Sequence, residues 1–387
     1  MISITDDKYS SSFVQSSMVD VNEVDELSNQ LKKVDSGRML DWIFEFPQQI
    51  FSAVEISRRY REGLTSIPSD QCKRVHLVGM GGSAIVGDII NDILSPQSPV
   101  IVHKGSVPPK DVCGVIVSSY SGNTDEVLEV FPNIVQDHNC VVSITSGGQL
   151  EKLSKDREIP IWYLPTGYPP RAALGWSLGY LMTIMDLWGV TENASGKLLM
   201  AVRKVIDEET LNKPLSFPVR CYPHHPLIRT SIPIAKKLID KNVLVFHTLN
   251  CTGAAKRFSA QINENSKQPA FTVLMPEGLH NTFEGICAVN SNHWAIVYML
   301  DASDSALIRE KLLDSMNFLK EKGFECLFFP ELWDDVSLEP IEVNARTISR
   351  VILGDFVSVF IAALKKTDPT LIPAITKLKD TPKMRDS

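Results

Sequence analysis

Two loops rich in glycine and serine, both in the first half of the chain, are its plainest chemical features. Gly79-Met80-Gly81-Gly82-Ser83 follows the apolar run 75–78, and Ser119-Tyr120-Ser121-Gly122-Asn123-Thr124 follows the apolar run 115–117. Each run reads as a buried strand and each loop leads into a stretch with helical spacing. A helix N-terminus carries backbone N–H groups without intrahelical partners and a partial positive charge, so a strand-to-helix loop of this kind is an anion site. Glycines such as Gly81 and Gly82 let a phosphate approach the backbone, and the hydroxyls of Ser83, Ser119, Ser121 and Thr124 add donors. Neither loop contains Lys or Arg, so the expected anion is one phosphate group held by neutral donors rather than a triphosphate.

Such loops need a sheet behind them. Runs 75–78, 100–102, 115–118, 141–144 and 160–164 read as strands, and 83–93, 123–135 and 148–155 as the helices between them, with 172–187 following the last strand. This alternation predicts an α/β unit with a parallel sheet covered by helices on both faces. A second unit of the same kind has strands at 243–246, 270–274, 294–300 and 326–329, helices at 253–265 and 305–322, and a long closing helix at 344–366. The halves look like a degenerate duplication. His247-Thr248-Leu249-Asn250 replaces the glycine-rich turn in the second half, so one phosphate site per chain is expected.

Ahead of the first sheet, 11–36 reads as a loose polar extension with one short helix around 23–33. Met39, Trp42, Ile43, Phe46, Ile50 and Val54 then recur at mostly helical spacing, with Pro47 expected to bend or restart the helix. A linker is expected near 191–213. The stretch 214–233, with five prolines, reads as an irregular insertion whose His224 and His225 are loop residues, lacking metal-ligand neighbours other than Cys221.

With 44% hydrophobic and 22% charged residues over 387 positions, the composition is that of a soluble globular protein long enough for two domains. A net charge of −7 argues against nucleic acid or an anionic membrane surface as partner. Seven scattered cysteines, none spaced CxxC, point to reduced thiols rather than disulfides or zinc, and no metal is expected. The polar first dozen residues are unlike a signal peptide, and the apolar stretch 351–364 contains Asp355, so a cytoplasmic location is expected.

The two loops, read as GMGGSAIVGD and SSYSGNTDEV, resemble the first half of a sugar isomerase (SIS) domain. Pro170-Arg171-Ala172-Ala173, the run Gln261-Ile262-Asn263-Glu264-Asn265-Ser266-Lys267, Pro276-Glu277-Gly278-Leu279-His280-Asn281, and Asp368-Pro369-Thr370 with 375–379 narrow the likeness. Together they resemble the bifunctional phosphoglucose/phosphomannose isomerases, in the same order, from about residue 39 to 379. The departures are Phe258 and Ser259 where Trp and Lys are usual, His280-Asn281-Thr282 in place of His-Asn-Glu with Glu284 nearby, Pro132 in the helix after SGNT, and the 214–233 stretch.

The resemblance implies two tandem SIS domains of flavodoxin-like build, with an N-terminal extension at 1–36, a phosphate-binding domain at 37–192, a second domain at 193–366 and a C-terminal segment at 367–387. It implies metal- and cofactor-free interconversion of glucose 6-phosphate or mannose 6-phosphate with fructose 6-phosphate through a cis-enediolate. That chemistry needs a carboxylate base, a cation for the oxyanion and an acid–base pair for ring opening. The resemblance assigns these to Glu264, Arg171, and the pair His280 and Lys379, with Lys377 the other candidate lysine. Gly81, Gly82, Ser83, Ser119, Ser121 and Thr124 would hold the substrate. It also implies a homodimer in which His280 serves the neighbouring subunit's site. Three rivals are weaker. Gly79, Gly81 and Ala84 match a nicotinamide fingerprint, but the acidic residue expected roughly 20 positions on is absent, where His103-Lys104 stand instead. A non-catalytic phosphosugar-sensing regulator would need an output module. A deaminating or amidotransferase-type SIS enzyme of the latter kind would need an N-terminal cysteine nucleophile domain.

Overall fold

A computed structural model of the chain describes residues 20–57, 60, 73–95, 99–105, 107, 109, 114–137, 140–206, 226–330 and 343–379. His224, His225, most of the 214–233 stretch and three of the seven cysteines lie outside these residues.

Alternating apolar strands and amphipathic helices give two parallel sheets. The first runs β1 (Val75–Gly79), β2 (Val100–His103), β3 (Val115–Ser118), β4 (Val141–Thr145) and β5 (Ile161–Tyr163), in the spatial order β2-β1-β3-β4-β5. The second has β6 (Asn242–His247), β7 (Ala270–Leu274), β8 (Trp294–Met299) and β9 (Glu325–Phe328) in the order β7-β6-β8-β9. Neighbouring strands are parallel throughout, as the sequence pattern requires. Side chains alternate between faces along a strand. In β6, Val243 and Val245 face one core while Leu244 and Phe246 face another. The first pair joins a single large core shared with Leu77 and Ile116 of the other sheet, so the two units are packed together rather than strung apart.

Helix α1 (Val21–Val34) is N-capped by Asp20, whose carboxylate accepts from the Asn22 N–H at 3.1 Å. Pro47 restarts the chain as expected: α2 (Met39–Phe44) stops at Glu45 and α3 (Phe46–Ser57) begins with Pro47 in its first turn. The first sheet carries α4 (Gly82–Ile93), α5 (Asp125–Asp137), α6 (Gly148–Asp156) and α7 (Leu174–Leu187). Helix α5 continues through Pro132.

Three expectations are corrected. The described end of the supposed loose extension is packed rather than loose, since Val24, Leu27 and Leu31 of α1 are buried in the large core. The supposed linker contains α8 (Ala194–Val205), whose Ala194, Leu198, Ala201, Val202 and Val205 form a buried helical stripe against α7 and the closing helix. The end of the supposed irregular insertion is α9 (Pro226–Leu238), opened by a proline suited to a first turn and running on through Pro233.

In the second unit α10 (Thr252–Ser266) follows β6, α11 (Thr282–Cys287) follows β7, and α12 (Ala306–Glu321) follows β8. The closing helix α13 (Val343–Leu364) packs on α1, α4, α8, α9 and α10. Its 344–364 span is long and apolar enough to cross a membrane, yet the most apolar window of it is 94% buried within the protein. The short helix α14 (Pro373–Lys379) ends the described chain. Helix α10 reaches the first unit by crossing α4 at Gly253, where a Cβ would come within 2.3 Å of the Ile89 nitrogen. Only glycine permits that approach.

Candidate active site

Strand order reverses beside β1: β2 lies on one side, β3 on the other. This is the switch point at which open α/β sheets leave a crevice. Register sets Gly79 opposite Ser118, so both glycine-serine loops emerge side by side at the C-terminal ends of adjacent strands. The second loop is tightly preset. Ser119 and Thr124 hydroxyls bond each other at 2.8 Å, the Gly122 N–H donates to Ser119 Oγ at 3.1 Å, and the Asn123 N–H donates to Ser121 Oγ at 3.2 Å. Gly122 has φ +66, and a Cβ there would lie 1.8 Å from the Gly147 carbonyl oxygen. The first loop is more open. Gly81 (φ +51) is exposed with no atom near its absent Cβ, Gly82 and Ser83 are half-buried, and Gly82 faces the Pro170–Arg171 backbone.

Arg171 sits on a single 3-10 turn, Pro170–Ala172, between β5 and α7. It is only 5% exposed, and burial lowers its pKa below the ordinary arginine value while the charge of Glu264 opposes that shift. Three of its five donors are committed. Nε donates to Asn265 Oδ1 at 2.8 Å, and Nη2 donates to the Pro369 and Thr370 carbonyls at 2.6 and 2.8 Å. The remaining Nη1 faces Glu264 Oε2 at 3.4 Å. Glu264 is on the last turn of α10, its side chain 29% exposed. A carboxylate from the second half thus meets a guanidinium from the first, beside the open loop.

Six of the sequence-derived residues therefore share one edge of the first sheet, Arg171 borders them, and Glu264 joins through Arg171. His280 and Lys379 are placed differently. His280 is exposed at the end of a 3-10 turn, Glu277–His280, after the edge strand β7. Lys379 ends α14, a helix with no buried residue. Lys377, the alternative, is on the same exposed helix. Sequence reasoning gave no part to Asn265 or to the Pro369 and Thr370 carbonyls that hold Arg171. The one available signal was Asn265 itself, a polar residue beside Glu264 that the fold buries completely. Among the described residues, no three His, Cys, Asp or Glu side chains are grouped to bind a metal.

Residues 229–381 match the family model described as bacterial phospho-glucose isomerase C-terminal SIS domain. The chain is 28% identical over 354 residues to a bifunctional phosphoglucose/phosphomannose isomerase of Caldicellulosiruptor bescii, covering 88% of this chain and 98% of that one. It is 28% identical over 316 residues to the Aquifex aeolicus protein of the same name, covering 80% and 90%. A hypothetical protein from Thermus thermophilus has the same fold, with a TM-score of 0.64, 16% identity and 92% of each chain covered. The likeness drawn from the loops and the NENSK run is thus borne out: the chain is similar to the bifunctional phosphoglucose/phosphomannose isomerases over most of its length, and its two sheets have the SIS fold.

Proposed function

We propose that this chain is an aldose–ketose isomerase that interconverts glucose 6-phosphate or mannose 6-phosphate with fructose 6-phosphate. The Arg171–Glu264 pair at 3.4 Å, beside a glycine-rich switch-point loop, carries the reading. The phosphate is held by Gly81, Gly82, Ser83, Ser119, Ser121 and Thr124, and this anchoring orients carbons 1 and 2 some distance away. Glu264 takes the proton from C2 of the open-chain aldose. The freed electron pair forms the C1=C2 bond, and the C1 carbonyl oxygen becomes an oxyanion facing the guanidinium of Arg171. Once the hydroxyl proton has passed from O2 to O1, return of the carbon-bound proton to C1 gives the ketose. Glucose and mannose phosphates differ only at C2 and share this enediolate, so one base serves both.

His280 and Lys379 act in ring opening and closure. Both are exposed in the single chain, and Phe271 and Leu274 are exposed on the edge strand that leads to His280. These features support a twofold dimer in which each His280 serves the partner's site. In this arrangement 37–192 supplies the phosphate loops, 193–366 supplies Glu264 and 367–387 supplies Lys379. The direct test incubates the purified protein with fructose 6-phosphate, with and without EDTA, and follows both aldose phosphates. Conversion insensitive to EDTA is expected. Binding without turnover makes the protein a phosphosugar sensor, and loss with EDTA followed by recovery with zinc makes it a metal enzyme. Mixing Glu264→Gln with His280→Ala protein should restore about a quarter of wild-type activity through heterodimers with one intact site. Mixed dimers without activity would return His280 to its own chain.

A further inference from the structure

The NENSK run contains one ionisable residue that the proposed reaction leaves without a part. Lys267 follows the last residue of α10 with a left-handed backbone (φ +50), a conformation a lysine seldom adopts. The side chain turns back over the helix end. Its ammonium donates to the Asn265 carbonyl at 3.3 Å and to the Asp368 carbonyl. Arg171 is fastened to the same two pieces of chain: Nε to the Asn265 side chain, Nη2 to the carbonyls of Pro369 and Thr370. Three successive carbonyls, 368 to 370, are thus gripped by two cations.

The turn they grip is fixed from its far side as well. Asp368 accepts from the Ser36 hydroxyl at 2.5 Å and from the Thr370 N–H at 2.7 Å, while the Thr370 hydroxyl donates to Asp35 at 3.0 Å. Anchored in this way, the turn fixes the guanidinium of Arg171 so that only Nη1 is left toward Glu264.

Resting on the isomerase reading, we propose that Lys267 is a positioning residue: it pins the 368–370 turn to the end of α10 and so keeps Arg171 aimed at Glu264 and the developing oxyanion. The charged groups facing it are Arg171, Asp368 and Glu264. Partial burial, and after it the charge of Arg171, lowers its ammonium to about 8. Above that pH the second cation is lost, the grip on Asp368 weakens, and turnover declines while the phosphate loops are untouched.

The test compares wild type, Lys267→Met and Lys267→Arg in steady-state kinetics with fructose 6-phosphate from pH 6 to 10, with hydrogen exchange of residues 367–379. Losing a hydrogen bond made by a charged donor predicts a kcat about 10–100-fold lower for Lys267→Met at pH 7, with KM nearly unchanged. Exchange in 367–379 should quicken in that variant, and its alkaline limb near pH 8 should disappear. Lys267→Arg should recover most of kcat and move the limb to higher pH. If wild type is active and Lys267→Met keeps either its kcat within twofold or the alkaline limb, the positioning role is wrong while the isomerase reading stands. If wild type converts no fructose 6-phosphate, the isomerase reading falls, and this role with it.

Discussion

Gly82→Ala separates the phosphate site from the fold, because the structure assigns the two effects opposite signs. Gly82 is the first residue of α4, where alanine is favoured over glycine by up to ~1 kcal/mol. The added methyl meets the Pro170 oxygen at 3.6 Å and the Arg171 Cα at 3.7 Å, both ordinary contacts, so no neighbour has to move. Melting temperature should stay level or rise. The methyl nevertheless projects from the first residue of α4, at the helix N-terminus on whose backbone N–H groups the proposed phosphate would rest. Displacing the phosphate from one such charge-assisted bond costs about 1.5–3 kcal/mol, or about 10–150-fold in KM. Initial rates against fructose 6-phosphate and thermal melting of the same preparation decide the matter. Gly122→Ala is the control for damage to the fold, since its Cβ would lie 1.8 Å from the Gly147 oxygen and its melting temperature must drop. A Gly82→Ala protein with KM within twofold of wild type puts the phosphate elsewhere. One that melts early, as Gly122→Ala should, shows that the contact argument is wrong.

Glu264→Gln should fold normally and lose ~10²–10⁴-fold in kcat, the range for losing a general base; near-normal turnover would take Glu264 out of the mechanism. Thr124→Ala and Ser121→Ala should each raise KM more than they lower kcat, by ~1–3 kcal/mol, and unchanged KM in both would free the second loop of substrate. Asp92 gives a stability prediction: burial raises its carboxyl to about 8, against the pull of the Ala254 and Gly253 N–H groups. An unfolded carboxyl titrates near ~4, so the folded protein alone keeps this proton between about pH 4 and 8, and the stability it contributes is lost as pH rises through that window. Asp92→Asn, uncharged but still able to accept from Ala254, should therefore melt progressively higher than wild type between pH 5 and pH 9, and a constant offset across that range would contradict the assignment.

Much of the sheet architecture was legible because its signals are local. The 115–118 and 270–274 runs are strands with the bounds their apolar character suggests, and the glycine of each loop marks a turn that only glycine can make. Errors came where a local signal pointed the wrong way. The polar start of 191–213 hid the buried stripe from Ala194 to Val205, and the prolines near 226–233 suggested disruption although one opens α9 and the other is accommodated within it. The meeting of Arg171 with Glu264 lies beyond local reading altogether. It depends on Gly253 letting α10 cross α4 and on backbone carbonyls from 369 and 370 holding the guanidinium. Backbone carbonyls carry no signature in side-chain order, and so the residues were nominated by resemblance and their arrangement by the fold.

The same geometry accounts for the proposal of one phosphate cradle in a protein with two similar sheets. After β1, the N-terminus of α4 opens through Gly81 and Gly82 to solvent. After β6, the corresponding N-terminus of α10 is already occupied by an internal carboxyl group, since the Ala254 N–H donates to Asp92 Oδ2 at 2.9 Å. Asn250 closes the neighbouring crevice, donating to Ser303 Oγ at 3.2 Å and Asp304 Oδ1 at 3.1 Å while accepting from the Ser95 hydroxyl at 2.7 Å. Behind it Asp301 is locked to Arg346 and Arg350. A phosphate arriving there would meet carboxylates in place of glycines. The plug is also what joins the halves, because Asp92 belongs to α4, the helix that Gly253 crosses. With its N-terminal end committed to that junction, α10 has its other end at the first sheet's crevice, and there it brings Glu264 to Arg171. On the proposed reading the second unit is the arm that carries a carboxylate to a site on the first, and its own crevice is sealed by the contacts that hold the arm in place.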